Sequence, residues 1–183
     1  MIRKLAFFLS ILMIGSSSYS QNWERISRKI KQEQLKMPVY NNLTKIFISN
    51  YHQCRKKINI WNDLKVNPQN DTIYIVECHS DGSDLHMISN IWNHYNIISY
   101  EKNLNENDII RLTNSVYYPK YIKELASSWN ISEIRKEEKL HSNFIPVNYI
   151  YLTRIIFENN KSQIDCICFK DFFLPERDLN NYF

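Results

Sequence analysis

Apolar residues recur near the start of the chain at the spacing of an amphipathic helix. Between residues 22 and 36 they fall close to one stripe, and Arg and Lys residues stand between them. Pro38 lacks the amide hydrogen that a helix interior needs, so it ends the pattern. The sequence therefore predicts a helix over residues 22–36 with one buried side. Its stripe consists of Trp23, Ile26, Ile30 and Met37.

A second and longer apolar stripe follows a spacing of three or four residues from about Asn42 to Asn62. Asn41 or Asn42 is suited to cap the first turn, because its side chain can accept from free amides there. The pair Asn67–Pro68 is a turn signal beyond the helix. This pattern predicts one continuous second helix. Its stripe consists of Leu43, Ile46, Phe47, Tyr51, Cys54, Ile58 and Trp61.

The pattern then changes to that of strands. Residues 72–79 are rich in β-branched and aromatic side chains, which favour a pleated strand. The pair Asp81–Gly82 favours a two-residue hairpin turn, which makes residues 84–91 the returning strand. Residues 96–101 predict a third strand. The three strands would form an antiparallel meander.

The middle of the chain predicts one more helix. Pro119 is suited to its first position, since the missing amide hydrogen costs nothing there. The helix would reach Trp129 or beyond, and residues 132–140 predict its solvated continuation. Residues 108–116 fit a helix or a strand equally well.

A C-terminal hairpin completes the pattern. Two strand-like arms, residues 148–157 and 163–172, flank the turn Glu158-Asn159-Asn160-Lys161. The whole pattern predicts a single α+β domain over residues 21–183. It contains an antiparallel sheet of about five strands, a meander plus this hairpin, packed with the N-terminal helices and the middle helix on one face.

The first twenty residues have the pattern of a signal peptide. Two basic residues precede an apolar run from Leu5 to Ile14, which is too short to span a bilayer. Small residues stand at Ser18 and Ser20, the −3 and −1 positions of a cut before Gln21. We therefore expect a bacterial protein that is exported to the periplasm or secreted, with this segment removed.

Charge is divided unevenly between the two halves of the chain. The whole chain carries +4, but residues 23–65 hold ten basic and three acidic residues, or +7. The excess predicts a basic face, with Arg25, Arg28 and Lys29 of the first helix as candidates for binding an anionic partner or a membrane surface. Solvated helix faces and internal charge complementarity would explain the same pattern. After removal of the signal peptide the net charge is only +2, which does not indicate nucleic-acid binding.

One short segment concentrates residues that could carry chemistry. His79, Asp81, Asp84 and His86 lie within eight positions, and imidazole with carboxylate can bind a metal or act as an acid–base pair. Across a tight hairpin turn, His79 and Asp84 would be neighbours. The spacing matches no metal motif, and turn-forming residues alone would produce the same composition. We therefore assign no metal and no cofactor, and keep a small hydrolytic or metal-dependent enzyme as an alternative.

Four cysteines, namely Cys54, Cys78, Cys166 and Cys168, remain in the exported chain, where an oxidising compartment permits disulfides. Cys166 and Cys168 lie on one face of one strand and are too far apart to bridge. Full pairing would therefore join Cys54 and Cys78 each to one of that pair. Four buried free thiols are the equal alternative.

The remaining features favour binding over catalysis. Gly82 is the only glycine after the signal peptide, which excludes glycine-rich phosphate-binding loops. Trp92 follows a strand in a polar turn and is predicted to be the exposed tryptophan, so it is a candidate binding residue. We expect a non-catalytic interaction domain whose partner is a protein or another cell-envelope component. Association with a membrane surface through the basic first helix is a further alternative.

Overall fold

The computed structural model describes residues 23–37, 42–80, 86–103, 108–112, 124, 126–140 and 148–171. The predicted signal peptide and its cleavage site lie outside these residues. In this described part of the chain, no helix is long and apolar enough to cross a membrane.

The first predicted helix is confirmed. Residues 23–35 form helix α1. Trp23, Ile26 and Ile30 of its apolar stripe are buried, and Met37 packs against the core just beyond the helix end. The stripe therefore sets which side of α1 faces the rest of the protein.

The second predicted helix is divided in two, so the prediction of one continuous helix is wrong. Helix α2 spans Asn42–Lys56 and helix α3 spans Ile60–Asp63. Between them, the Ile58 amide donates to a carbonyl three residues back, which tightens and ends α2. Asn59 then caps α3, because its side chain accepts from the Asn62 amide at 3.3 Å. The apolar spacing continues across the break, which is why periodicity alone did not reveal it.

One member of the α2 stripe points away from the core. Ile46 is 48% exposed, so its predicted burial is wrong. Phe47, Tyr51, Cys54 and Ile58 of the same stripe are buried as predicted. Burial therefore follows a narrower side of α2 than the full stripe.

The fold class is confirmed as α+β with an antiparallel sheet. Six strands lie in the order β4-β3-β2-β1-β5-β6, and each paired neighbour is antiparallel. Within the ambiguous stretch 108–116, residues 110–112 form the short strand β4, and residues 113–116 lie outside the described residues. The strands are β1 Thr72–Ser80, β2 His86–Trp92, β3 Ile97–Asn103, β4 Ile110–Leu112, β5 Asn148–Glu158 and β6 Lys161–Asp171.

The C-terminal hairpin is confirmed, but its turn has two residues rather than the predicted four. Its last pair is Glu158 opposite Lys161, so Asn159 and Asn160 alone make the turn. Their φ angles of 49° and 62° are both left-handed, which is the geometry of the type I′ turn that suits two strands with the natural twist. Asn tolerates this conformation better than most residues.

The first hairpin has a different register from the predicted one. His79 lies opposite Met87 rather than Asp84, so five residues separate the paired strands instead of two. An odd shift in register exchanges the two faces of a strand. The observed register places Ile75 opposite Ile91, and both are fully buried, whereas the two-residue turn would have directed Ile91 to the other face.

The middle helix is confirmed in part. Residues 126–128 are helical, and a separate helix α4 spans Ile131–Leu140. Trp129 between them has a φ of 51°, which interrupts the helix. Asn130 then caps α4, because its Oδ1 accepts from the Glu133 amide at 3.2 Å. The predicted start at Pro119 lies outside the described residues.

Both faces of the sheet carry packed helical segments, so the prediction of helices on one face is wrong. Helices α1 and α3 pack on the face that contains Ile75 and Ile155, which we call the helix-side face. Ala126 and Trp129 pack on the opposite face, together with Leu152. The sheet is therefore the middle layer, and its central strands are buried on both sides.

Candidate functional site

A network of polar side chains lies buried between α1, α2 and the sheet. Ser27 and Gln34 belong to α1, Arg55 to α2 and Glu77 to the centre of β1, and all four have no exposed surface. Glu77 follows Ile73 and Ile75 at intervals of two residues along β1, so the pleat directs all three to the helix-side face.

The Arg55–Glu77 ion pair is the centre of this network. Arg55 Nη1 donates to Glu77 Oε1, and Gln34 Nε2 donates to the other carboxylate oxygen at 2.7 Å. Arg55 Nη2 donates to Gln34 Oε1 at 3.4 Å, and Arg55 Nε donates to Ser27 Oγ at 3.2 Å. Each charged group thus has a partner for several of its polar atoms, which offsets the large cost of removing it from water.

This network has the properties of a set of contacts that stabilises the fold. Its charged side chains have no exposed surface, and each of their nitrogen and oxygen atoms makes a hydrogen bond within the network. A catalytic group must reach a substrate, and these groups do not. What the network does is fix how α1 and α2 sit on β1, because any shift of a helix would leave a buried charge without its partner.

His52 connects the network to the surface. Its Nδ1 lies 2.9 Å from Ser27 Oγ, and Ser27 already accepts from Arg55 Nε, so its hydroxyl hydrogen is free to be donated to a neutral imidazole. Burial lowers the pKa of His52, and the positive charges of Arg55, Lys31 and Lys56 lower it further. The folded protein therefore favours the uncharged ring.

We expect the stability of the protein to fall when the pH drops below about 6.5, the ordinary pKa of histidine. Above it His52 is neutral in both states; below it the unfolded chain binds the proton first, so unfolding is favoured until the pH reaches the lowered pKa of the folded state. Urea denaturation of the wild type and of His52→Gln from pH 7.5 to 5 measures this difference. The control His94→Gln should keep the wild-type dependence, because His94 contacts Tyr95 rather than the network. Equal pH dependence in wild type and His52→Gln would contradict the assignment.

The outer side of the helical layer is basic. Of the ten Lys and Arg residues in residues 23–65, eight are exposed, and they include Arg25, Arg28 and Lys29, the predicted binding candidates. Arg55 is the one cation of this set that is fully buried in an ion pair, with Glu77. We call the exposed cations of α1, α2 and their ends the basic outer face. It consists of Arg25, Arg28, Lys29, Lys36, Lys45, Lys56 and Lys57.

Few carboxylates oppose this face. Glu24 lies 3.3 Å from Arg28 and 3.6 Å from Lys56, and Glu33 lies 2.6 Å from Lys36. These pairs are exposed, so each contributes little to stability. No ion pair among the described residues involves Arg25 or Lys29. These two cations are available to an external anion.

The predicted acid–base segment is only partly described. His79 is a position of β1 and His86 is the first residue of β2, while Asp81 and Asp84 lie outside the described residues. In the observed register His79 lies opposite Met87 and not opposite position 84, as the two-residue turn would require. The enzymatic hypothesis built on these four residues stays a prediction.

Trp92 is not exposed, contrary to the sequence expectation. It is 4% exposed, and its ring stacks on Tyr74 with centroids 5.7 Å apart. Its Nε1 donates to Ser127 Oγ at 3.4 Å, which ties the segment before α4 to the sheet. The exposed aromatic residue of the β2–β3 turn is Tyr95, at 78%.

None of the four cysteines, which all lie among the described residues, forms a disulfide. Cys54, Cys166 and Cys168 lie on the helix-side face, whereas Cys78 packs on the opposite face. Cys78 is also two strands away from β6, about 10 Å laterally, which is more than a disulfide can bridge. Both full pairings required a bond from Cys78 to β6, so neither fits the sheet.

We expect four titratable thiols per chain when the protein is denatured without a reductant. In the folded protein, burial raises the pKa of Cys54 to about 11 and that of Cys166 to about 12. The reactive thiolate of Cys54 is then about a hundredfold rarer than that of an exposed cysteine. Iodoacetamide labelling at pH 8, read by mass spectrometry, should modify these two residues far more slowly in the folded than in the denatured protein. A titration of two thiols, or equal labelling in both states, would contradict this expectation.

No protein-family model, no curated protein and no solved structure matches the chain.

Proposed function

We propose that this protein is an exported, non-catalytic binding domain of the periplasm or cell envelope, and that its basic outer face contacts an anionic partner. The observation that carries the proposal is the exposure of this face: Arg25 and Lys29 stand one helical turn apart on α1 without an ion pair among the described residues. A partner carrying negative charge would be attracted over a distance of about 10 Å at ordinary salt.

The packing beneath this face supports a recognition role. The Arg55–Glu77 network holds α1 and α2 on the sheet, so the backbone positions that carry the exposed cations keep a fixed arrangement. A preorganised surface loses less conformational entropy on binding than a flexible one.

The proposal is tested by binding at low and high salt. The purified protein is mixed with poly-aspartate beads, which imitate an acidic protein, and separately with vesicles containing anionic phospholipid. Retention at low ionic strength that is released at high ionic strength is expected for at least one of the two. Recovery of the protein in the supernatant from both, at low salt, would contradict the proposal.

Membrane-surface association is the second candidate, and two exposed aliphatic residues favour it. Trp23 Nε1 donates to the Arg55 carbonyl, so the start of α1 lies beside the end of α2 and the helices are antiparallel. This places Leu35 and Ile46 at the same end of the pair, where they are 39% and 48% exposed. Aliphatic side chains beside lysines can enter the interface of an anionic bilayer. In that case vesicle binding should persist in part at high salt, whereas binding to poly-aspartate should not.

A further inference from the structure

Strand β6 forms one edge of the sheet in the described part of the chain, and it is long and regular. Its pairing with β5 runs without a bulge from the Glu158–Lys161 pair to the Asn148–Asp171 pair, and it contains no proline or glycine. Many proteins shorten or interrupt such edges, because an open edge pairs with other chains. Strand β4 at the other edge spans only three residues. The edge at β6 is therefore the one suited to add another strand.

The register shows which backbone groups of β6 point away from β5. Glu158 and Lys161 flank a two-residue turn, so they form a hydrogen-bonded pair, and such pairs recur at every second position. On β5, the Phe157 amide accordingly donates away from β6, to the Asp71 carbonyl at 2.8 Å. The residues between the hydrogen-bonded pairs direct their N–H and C=O groups outward. On β6 these residues are Ser162, Ile164, Cys166, Cys168 and Lys170.

Helix α4 occupies one end of this edge. Arg135 Nη1 donates to the Cys168 carbonyl at 3.1 Å, which agrees with the outward direction of that group. Nearer the turn, the outward backbone groups of Ser162, Ile164 and Cys166 make no hydrogen bond among the described residues. All three residues are partly exposed. The open part of the edge therefore spans residues 162–166 and is centred on Ile164.

This open part is complementary to a second copy of itself. In an antiparallel pair of β6 strands, a register that sets Ile164 opposite Ile164 also sets Ser162 opposite Cys166 at both ends. These three hydrogen-bonded pairs of two bonds each use every outward group of the segment. On the opposite face, Gln163 then lies across from Asp165 of the second copy. Within one chain the Gln163 amide already donates to the Asp165 carboxylate at 3.2 Å, and the same contact can form between the copies.

The neighbouring registers fit less well. A shift of two residues in one direction sets Cys166 opposite Asn160, whose amide already donates to a carbonyl across the turn region, so two of the bonds are lost. A shift in the other direction sets Asp165 opposite Asp165, and two carboxylates at such a position repel each other. That shift also requires the Cys168 carbonyl, which Arg135 holds. The first register is therefore the one that the edge favours.

We propose that β6 pairs with β6 of a second copy, antiparallel and centred on Ile164, so that the two sheets join into one. The twofold axis is perpendicular to the joined sheet, so the helix-side faces of both copies lie on the same side. Two basic outer faces can then contact one partner, and linked contacts of this kind strengthen binding. The pairing itself depends on the sheet edge and not on the proposed anionic partner. A failure of vesicle and poly-aspartate binding would leave it standing.

Sedimentation velocity measures the association. Pairing of short edge segments gives an interface at the small end of the known range, below about 1,200 Å². We therefore expect a dimer with a dissociation constant between about 10 μM and 1 mM. Ser162→Pro removes an outward N–H from each copy without a bond to β5, and it should weaken the dimer at least about tenfold. The control Lys170→Pro removes an outward N–H beyond the paired segment and should leave the association unchanged.

A cysteine variant tests the register. Ser162→Cys sets a thiol opposite Cys166 of the second copy, with Cα atoms about 5.5 Å apart, which a disulfide can bridge. Within one chain the two positions are roughly 13 Å apart along the strand, so they cannot bridge. Mild oxidation should give a covalent dimer with a 162–166 link, identified by mass spectrometry. The control Gln163→Cys directs its thiol to the other face of the sheet and should not link to Cys166.

Several results would overturn the pairing. A wild type that stays a monomer at about 1 mM would exclude the second copy and leave the edge to an extended segment of another protein. A dimer that Ser162→Pro does not weaken, or that Lys170→Pro weakens equally, would show that the copies meet elsewhere. A wild-type dimer without the 162–166 link in Ser162→Cys would overturn the register. The cysteine variant also keeps the test independent of whether Ser162→Pro folds.

Discussion

Glu77→Gln should lower the free energy of unfolding by about 3–5 kcal/mol. The substitution keeps the size of the side chain and removes its charge, so Arg55 stays charged with no exposed surface and no counter-ion. Attraction within the pair no longer offsets the cost of burying the guanidinium. Urea denaturation at pH 7 measures the effect as a lower midpoint with an unchanged slope.

A matched ion pair elsewhere in the sheet provides the control. Arg154 Nη2 donates to Asp165 at 2.7 Å, and these side chains are 25% and 28% exposed. Solvent weakens such a pair, so Asp165→Asn should cost only about 0–1 kcal/mol. Equal losses for Glu77→Gln and Asp165→Asn would show that burial does not set the cost.

A double variant isolates the role of charge. Arg55→Met combined with Glu77→Gln removes both charges, and the new amide can still accept from Gln34. We expect the double variant to be more stable than Glu77→Gln alone, because no unpaired charge stays buried. A double variant less stable than the single one would indicate that packing around Arg55, rather than its charge, stabilises the helical layer.

This network shows why the most buried polar residues were not predicted. Arg55 lies four residues after Tyr51, on the apolar side of α2, and Glu77 occupies an inward position of β1 two residues after Ile75. Each is a single charged residue in an otherwise apolar pattern, and such a residue alone does not indicate which residue it pairs with. A buried ion pair could have been predicted only by considering Arg55 and Glu77 together, since a cation and a carboxylate that face the same core neutralise each other.

Elements with strong local signals were predicted well. The C-terminal hairpin has two arms rich in strand-forming residues and an Asn159–Asn160 turn whose conformation those residues tolerate. The exposure of Arg25, Arg28 and Lys29 follows from the apolar stripe of α1, because the cations fall between its members.

Features that depend on pairing between distant segments were not predicted. The register of β1 and β2 is set by which apolar residues share a face with Ile75, and an Asp–Gly pair in the sequence does not contain that information. Trp92 stands beside a polar turn in sequence, but Tyr74 on the neighbouring strand and Ser127 before α4 cover it. The polar residues next to Trp92 in the sequence therefore led to a wrong prediction of its exposure.

Reversing two cations of α1 should weaken binding to anionic vesicles at least about 30-fold at about 0.1 M salt. Arg25→Glu with Lys29→Glu changes two exposed residues that form no ion pair among the described residues, so the fold loses little. Each basic residue near an anionic bilayer contributes about 1 kcal/mol, and two lost contributions correspond to about 30-fold before repulsion by the new carboxylates is added. Co-sedimentation over a series of lipid concentrations gives the ratio of affinities.

The control must carry the same net charge. Lys136→Glu with Lys161→Glu also changes the charge by −4. However, Lys136 lies on α4 and Lys161 at the start of β6, so neither belongs to the basic outer face of α1 and α2. If attraction depended on net charge alone, both double variants would lose the same affinity. We expect a loss confined to the α1 variant, because exposed charges more than about 10 Å from the bilayer are largely screened at 0.1 M salt. Equal losses would remove the basic outer face as the contact surface and leave only a general electrostatic attraction.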